Sequence, residues 1–102
     1  MPEVIVPCGT FIDTQSEEDS VEEFTLALGE DTGLFNMAWT IGLIGGTIEF
    51  QVIYNGVTTS SGAVSSSGSM VVSKPTAFPT TATVRIITVG TGGQYTLEIG
   101  CL

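Results

Sequence analysis

The sequence predicts an all-β fold, a single antiparallel β-sandwich or jelly-roll-like domain of seven or eight short strands. Apolar and polar residues alternate along several short segments, which is typical of strands with one buried face. Turn-forming residues, mostly Gly, Asn, Asp and Pro, separate these segments at close intervals. The length of 102 residues suits one domain with one modest core.

Residues 1–23 are predicted to form an N-terminal edge strand and an acidic segment, ahead of a sandwich over residues 24–102. The strand covers residues 4–8 and is placed at an edge because Pro7 lacks the N–H that a central strand needs. Residues 13–23 hold six carboxylates and no cation. With few apolar residues to anchor it, this segment is expected to be a loop or one solvated helical turn.

The predicted centre of the sandwich is the strand that ends at the tight-turn pair Asn55-Gly56. Its inward residues are Ile48, Phe50, Val52 and Tyr54. With residues 34–41, across the glycine-rich residues 42–46, this strand is expected to form a hairpin that carries most of the aromatic side chains.

Five further strands are predicted, at residues 24–28, 57–60, 70–72, 82–89 and 95–101. The glycines of residues 90–93 predict a hairpin turn between the last two strands. Residues 74–80 predict a stiff connection, because a residue before proline favours extended backbone.

The composition argues against several classes of partner. Hydrophobic residues make up 42% of the chain, but charged residues only 13%, and the net charge is −9. Binding to nucleic acid or to an anionic membrane is not expected, because Lys74 and Arg85 are the only cationic side chains. A basic protein surface or a divalent cation is the partner that this charge would attract.

The N-terminus lacks the basic and apolar regions of a signal peptide, and no apolar run reaches the roughly 18 residues of a membrane-spanning helix. The chain begins at Met1 and is interpreted as a complete gene product made in a cytoplasm, unless a signal has been removed.

Cys8 and Cys101 lie near opposite ends of the chain. If the first and last strands pair, these residues could form a disulfide that stabilises the fold by ~4–5 kcal/mol. Two small buried thiols, each reduced, are the alternative.

Catalytic residues are not expected. The chain has no His, no serine lies in a Gly-x-Ser-x-Gly turn, and the cysteines lack partners for a Cys-His pair or a zinc site. No glycine-rich loop is followed by a phosphate-binding Lys. The sequence therefore predicts a protein that is not an enzyme and needs no cofactor, with calcium as the one metal to consider.

Two sets of residues are candidates for binding. The calcium candidates, whose carboxylates supply the hard oxygen ligands that Ca²⁺ prefers, are Asp13, Glu17, Asp19, Glu30 and Asp31. A solvated acidic face is the alternative, because their order does not match a calcium-binding loop. Trp39 and Tyr54 could form a sugar-stacking platform if exposed, although a strand with Met37 and Ile41 favours burial in the core.

The order of several segments carries a resemblance over about residues 24–102. The segments are Asp31-Thr-Gly33, Trp39, residues 48–56, 61–65 and 68–70, Lys74, residues 83–86 and 90–92, and Tyr95 to Cys101. In these the chain resembles small β-sandwich modules of tailed-bacteriophage virion proteins, which are similar to bacterial pre-peptidase C-terminal domains. The acidic segment lies outside the resemblance, and residues 75–79 form a longer link than its pattern has.

The resemblance implies a β-sandwich and a non-enzymatic role in a virion, as a capsid decoration or head-fibre subunit that docks on capsid or tail proteins. It implies repeated copies, either as a homo-oligomer or on a lattice. A carbohydrate- or calcium-dependent binding module of a receptor-binding or secreted protein, located outside the cell, is the alternative. A third interpretation is adhesion through an exposed strand edge.

Overall fold

The computed structural model describes residues 5–9, 11–15 and 18–102, and this part of the chain contains strands and no helix. Its seven strands are β1 (Ile5–Pro7), β2 (Phe11–Gln15), β3 (Val21–Ala27), β4 (Gly33–Tyr54), β5 (Val57–Val64), β6 (Gly68–Lys74) and β7 (Thr81–Ile99). Within these ranges there is accordingly no helix that is long and apolar enough to cross a membrane. The predicted all-β fold is confirmed. The prediction of purely antiparallel pairing is wrong, because β1 lies parallel to β3.

Strands β4 and β7 are long, and each serves both layers of the sandwich. They pair with each other antiparallel, from Met37 opposite Ile99 to Ile53 opposite Thr83. The first half of β4 also pairs with β6, and its second half pairs with β5. The first half of β7 pairs with β3, and its second half pairs with β2. One layer therefore contains β6, β4, β7 and β2, and the other contains β5, β4, β7, β3 and β1.

Strand β4 bends back on itself between its two halves. The rings of Trp39 and Phe50 stack with their centroids 5.0 Å apart. A fully extended chain would separate these two positions by about 36 Å. The bend lies where Gly46 and Gly90 face each other, with φ angles of 144° and 98°. A Cβ on Gly46 would collide with the carbonyl oxygen of Val89, so glycine is what allows both strands to turn this corner together.

Both predicted hairpins are wrong. The sequence predicts that residues 34–41 pair with residues 47–54, but each of these segments pairs with β7, and residues 42–46 belong to β4 itself. Residues 90–93 likewise lie within β7 instead of forming a turn. A run of glycines permits a turn or a bend equally well, and here the long pairing of β4 with β7 decides between them.

The acidic N-terminal segment is mostly strand. Residues 13–15 belong to β2, which pairs with β7 from Phe11 opposite Glu98 to Gln15 opposite Gln94. The expected boundary between residues 23 and 24 falls inside β3. Charge favours a loop here, but the backbone hydrogen bonds offered by β7 outweigh it, and residues 5–27 contribute three strands to the same sheet.

The core lies between the two layers. Its largest fully buried side chains include Tyr95, Phe50, Leu26, Met37, Ile48 and Leu97. Phe50 is at its centre, stacked on Trp39 and in an edge-to-face contact with Tyr95, whose ring centroid is 5.7 Å away. Aromatic pairs of this kind add ~0.5–1.5 kcal/mol each beyond the apolar area they bury.

Candidate functional site

Cys8 and Cys101 are joined by a disulfide, with their Cα atoms 5.1 Å apart. The sequence predicts this disulfide only if the first and last strands pair. They do not, because β1 pairs with β3. The turn after β1 brings Cys8 to the end of β7 instead, where the Gly9 N–H donates to the Ile99 carbonyl at 2.7 Å. The bond therefore fastens the short strand β1 to the other layer.

The two candidate sugar-binding aromatics are buried. Trp39 is 6% exposed and its indole Nε1 donates to the Ser66 carbonyl at 3.1 Å. Tyr54 is 4% exposed and its hydroxyl donates to the Pro79 carbonyl at 2.7 Å. Neither ring has an exposed face on which a sugar could stack. Both residues belong to the hydrophobic core.

Of the calcium candidates, those whose side chains the structure describes do not form a cluster. Asp19 and Glu30 are exposed, and the Asp19 carboxylate accepts a hydrogen bond from the Gly90 N–H at 2.8 Å. Asp31 is exposed and contributes its backbone carbonyl to Lys74. Asp13 lies in β2 and Glu17 lies outside the described residues. Within the ranges that the structure describes, no three His, Cys, Asp or Glu side chains group as a metal site would require.

Lys74 is fully buried, which the sequence analysis did not predict. Its Nζ donates to three backbone carbonyls, those of Asp31 at 2.8 Å, Thr76 at 2.8 Å and Ala77 at 2.9 Å. An ammonium group has three protons, so all of them are satisfied. The Nζ also lies 5.6 Å from the centroid of the Tyr54 ring, within the range of a cation–π contact. Lys74 thus ties the turn before β4 to the connection after β6.

Because Lys74 is buried, Arg85 is the one cationic side chain that reaches the surface, and both cations lie in the described part of the chain. Its Nε donates to the Glu23 carboxylate at 3.2 Å. Three carboxylates lie in the turn before β3 and on the outer face at its start, and we call them the acidic side: Glu18, Asp19 and Glu23. Glu22 lies on the other face of β3, where its carboxylate bonds to Tyr95. Only Glu23 of this set has a cationic side chain as partner.

Exposed apolar side chains lie beside the acidic side. Val21 and Val89 are each 58% exposed. Val21 lies opposite Ile87, and Val89 follows two residues later on the same face of β7. Arg85 and its partner Glu23 occupy the adjacent row of that face. The outer surface of this layer therefore combines apolar and acidic residues over neighbouring strands.

The opposite edge carries no charge. Residues 50–73 contain no Asp, Glu, Lys or Arg, and they include all of β5 and most of β6, which we call the neutral side. Between these two edge strands lies a cavity of about 170 Å³ lined by Tyr54, Asn55, Val57, Thr59, Ser73 and Pro75. Its lining has no titratable group other than the phenol of Tyr54.

Among the described residues, Glu49 and Tyr95 have a shifted pKa. Hydrogen bonds from Ser60 and then from Gln51 lower the pKa of Glu49, while slight burial opposes them. Both donors lie 2.6 Å from the same carboxylate oxygen. Burial raises the pKa of Tyr95 far above its ordinary value, with further contributions from the charge of Glu22 and a hydrogen bond to it. Both shifts follow from burial and from the hydrogen bonds that hold these side chains in place.

The described residues form a β-sandwich-like domain, and comparison with known proteins agrees at the level of the fold. No protein-family model matches the chain, and no curated protein matches it. Among solved structures it is similar to the pre-peptidase C-terminal domain of a collagenase from Bacillus anthracis, with a TM-score of 0.64 and 10% identity. The alignment covers 97% of each chain. The resemblance to pre-peptidase C-terminal domains is thus confirmed for the fold.

Proposed function

We propose that this chain is a non-enzymatic docking module that attaches through its acidic side to a basic surface of a larger assembly. The observation that carries the proposal is the segregation of charge. Glu18 and Asp19 have no cationic side chain beside them, and exposed Val21 and Val89 lie on the same outer face as Glu23. Exposed apolar residues within a charged rim are the usual composition of a protein–protein contact.

The assembly that we propose is a bacteriophage particle, with this chain as a capsid decoration or head-fibre subunit. The resemblance described above supports that assignment. The disulfide between Cys8 and Cys101 supports it as well, because such bonds persist outside a reducing cytoplasm. A virion protein would be made in the cytoplasm and exposed once the cell lyses. Many copies on one particle would let modest affinity per copy suffice.

The carbohydrate- or calcium-dependent alternative gains no support from the described residues. Trp39 and Tyr54 are buried, and the acidic residues that can be located do not converge on one point. The experiment below distinguishes a protein bound to particles from one that is secreted and free.

The test is co-sedimentation of the purified protein with particles isolated from its source. We expect the protein to sediment with the particles at low salt, and to be released as salt rises, because exposed charge contacts are screened over about 10 Å at 0.1 M salt. A double variant, Glu18→Gln with Asp19→Asn, should bind at least about tenfold more weakly, which corresponds to ~1.4 kcal/mol. Asparagine keeps the side-chain oxygen that accepts from the Gly90 N–H.

The matched control is Glu30→Gln with Glu98→Gln, which changes the net charge equally and leaves the acidic side intact. It should bind as the natural chain does. Absence of the protein from particles analysed by mass spectrometry, together with no co-sedimentation, would contradict the virion assignment. Equal loss of binding in both double variants would contradict the acidic side as the contact.

A further inference from the structure

Strand β6 is an open edge of the sheet. Its seven residues pair with β4 in unbroken register, from Gly33 opposite Lys74 to Trp39 opposite Gly68. In the described part of the chain no strand pairs along its other side. In an antiparallel ladder, alternate residues of such an edge direct their N–H and C=O groups away from the sheet. Those groups are available to a further strand.

The usual protections of an edge are missing from β6. Exposed Lys, internal Pro and β-bulges are the devices that keep edges from pairing. The only Lys of β6 is Lys74, whose side chain is fully buried. The neighbouring edge strand β5 differs, because its pairing with β4 shifts register between Glu49 and Gln51. There the Ser61 hydroxyl accepts from the Phe50 N–H at 3.0 Å, and Gly62 has a φ of 70°. Thus β5 carries a bulge and β6 does not.

The sequence of β6 reads nearly the same in both directions about its middle residue. Residues 69–73 are Ser-Met-Val-Val-Ser, centred on Val71. In an antiparallel pair centred there, Val71 lies opposite Val71 of the second copy, and Met70 lies opposite Val72. Ser69 lies opposite Ser73. Apolar residues therefore meet apolar residues and hydroxyls meet hydroxyls, which is the self-complementarity that a two-fold contact requires.

The exposed apolar residues of this layer lie at the same place. Val71 is 56% exposed, and Leu34, diagonal to it on the outer face of β4, is 65% exposed. A paired second copy would cover Val71. Charge does not oppose the contact locally, because residues 50–73 are uncharged, and the acidic side lies at the start of β3 in the other layer.

We infer that the free edge of β6 is a docking surface for a second copy of this chain, joined antiparallel about Val71. The layer that contains β6 in one copy then joins the same layer of the second copy, and the two form one continuous sheet across the two-fold axis. This surface is separate from the acidic side, so the inference does not depend on the proposed function, and each can fail alone.

The test measures mass by sedimentation velocity over a range of protein concentrations. We expect reversible dimerisation that strengthens modestly with salt, since each copy carries a net charge of −9. Val71→Lys places a charge on the open edge and should raise the dissociation constant at least about tenfold. Val57→Lys is the matched control, because Val57 is 68% exposed on β5 and gains the same charge. It should dimerise as the natural chain does.

A second measurement tests the register. Val71→Cys should form a disulfide-linked dimer on mild oxidation, because residue 71 faces its own copy. Ser69→Cys should not, because residue 69 faces residue 73. A chain that is monomeric at every concentration overturns the inference, as does a dimer that Val57→Lys breaks and Val71→Lys leaves intact. Efficient cross-linking through residue 69 instead of residue 71 would overturn the register.

Discussion

The acidic side and the neutral side of this domain are fastened by different means. Near the acidic side, the Asp19 carboxylate and its N–H both bond to Gly90, and the ion pair of Glu23 with Arg85 joins β3 to β7. The disulfide lies at the other end of β3, where Cys8 follows β1 and donates its N–H to the Ala27 carbonyl. The neutral side has no ion pair in the described residues. There the buried ammonium of Lys74 and the hydroxyls of β5 satisfy the backbone instead.

This difference shows how a chain with two cations distributes them. One cation is withdrawn into the interior to bind carbonyls, and only the other is left to balance surface carboxylates. Repulsion on the acidic side therefore has to be resisted by contacts that need no positive charge. The hydrogen bonds between Asp19 and the Gly90 backbone meet that condition. Weakening the covalent bond, the buried ammonium and the tight corner in turn separates their contributions to stability.

Removing the disulfide should have the largest effect. The bond closes a separation of 93 residues, for which the chain-entropy estimate is ~4.6 kcal/mol. We expect Cys8→Ser with Cys101→Ser to lower the free energy of unfolding in urea by about that amount. Hydrogen exchange should accelerate more in β1 and β3 than in β6. A loss below ~1 kcal/mol, or uniform acceleration, would contradict this account.

Replacing Lys74 by Met should weaken the neutral side. The change keeps a similar side-chain volume but leaves three carbonyls without their donor. Because each unsatisfied buried acceptor costs ~1–3 kcal/mol, we expect a loss of ~3 kcal/mol in urea unfolding after partial rehydration. The control is Arg85→Met, which removes an exposed ion pair and should cost less than ~1 kcal/mol. If both variants lose the same free energy of unfolding, the buried ammonium contributes no more than the exposed ion pair, which would contradict this prediction.

Substitutions at Gly46, at the bend of β4, and at Gly56, in the turn after β4, compare a crowded glycine with an uncrowded one. Both have positive φ, of 144° and 80°, but a Cβ would meet Val89 and Gly90 at position 46 and open space at position 56. We expect Gly46→Ala to cost ~2–3 kcal/mol and Gly56→Ala ~1 kcal/mol in thermal or urea unfolding. A smaller cost at position 46 than at position 56 would contradict the tight corner.

The smallest effect concerns the pH dependence of Glu49, beside the neutral side. Hydrogen bonds lower its pKa from the ordinary value of 4.5. A lowered pKa in the folded state stabilises the fold above the ordinary pKa, and this contribution is lost as the pH falls through the folded value. Ser60→Ala removes the larger cause, so it should flatten the stability profile below pH ~4.5 by well under ~1 kcal/mol. Gln94→Ala, at an exposed position of β7, should leave the profile unchanged.

The sequence predicted the strands better than their connections. Alternation placed Ile48, Phe50 and Leu97 in the core correctly, because a period of two is a local property of the chain. The pairing of β4 with β7 is not local, and glycines that permit a hairpin also permit a bent strand. The pattern therefore indicated two hairpins where the structure has one corner. Carboxylates argued for a loop at residues 13–23, but strand pairing with β7 is the stronger influence.

The candidate sites were less predictable than the fold. Nothing near Lys74 in sequence reveals that its interior partners include the Asp31 carbonyl, 43 positions away. Burial of Trp39 could be favoured from its neighbours, but its contacts with Phe50 and Ser66 depend on the bend of β4. The open edge of β6 had a signal that was available, the symmetric run of residues 69–73. That symmetric run predicts a contact between two copies only once β6 is known to be an edge strand.

The position of the disulfide has a consequence for how the domain would bear mechanical load. Cys8 and Cys101 bracket nearly the whole fold. Tension applied between the two ends of the chain passes from one cysteine directly to the other through a covalent bond. The hydrogen-bonded strands between them lie off that line of force, so a pull strong enough to unravel an ordinary β-sandwich would leave this one folded until the bond itself is broken or reduced.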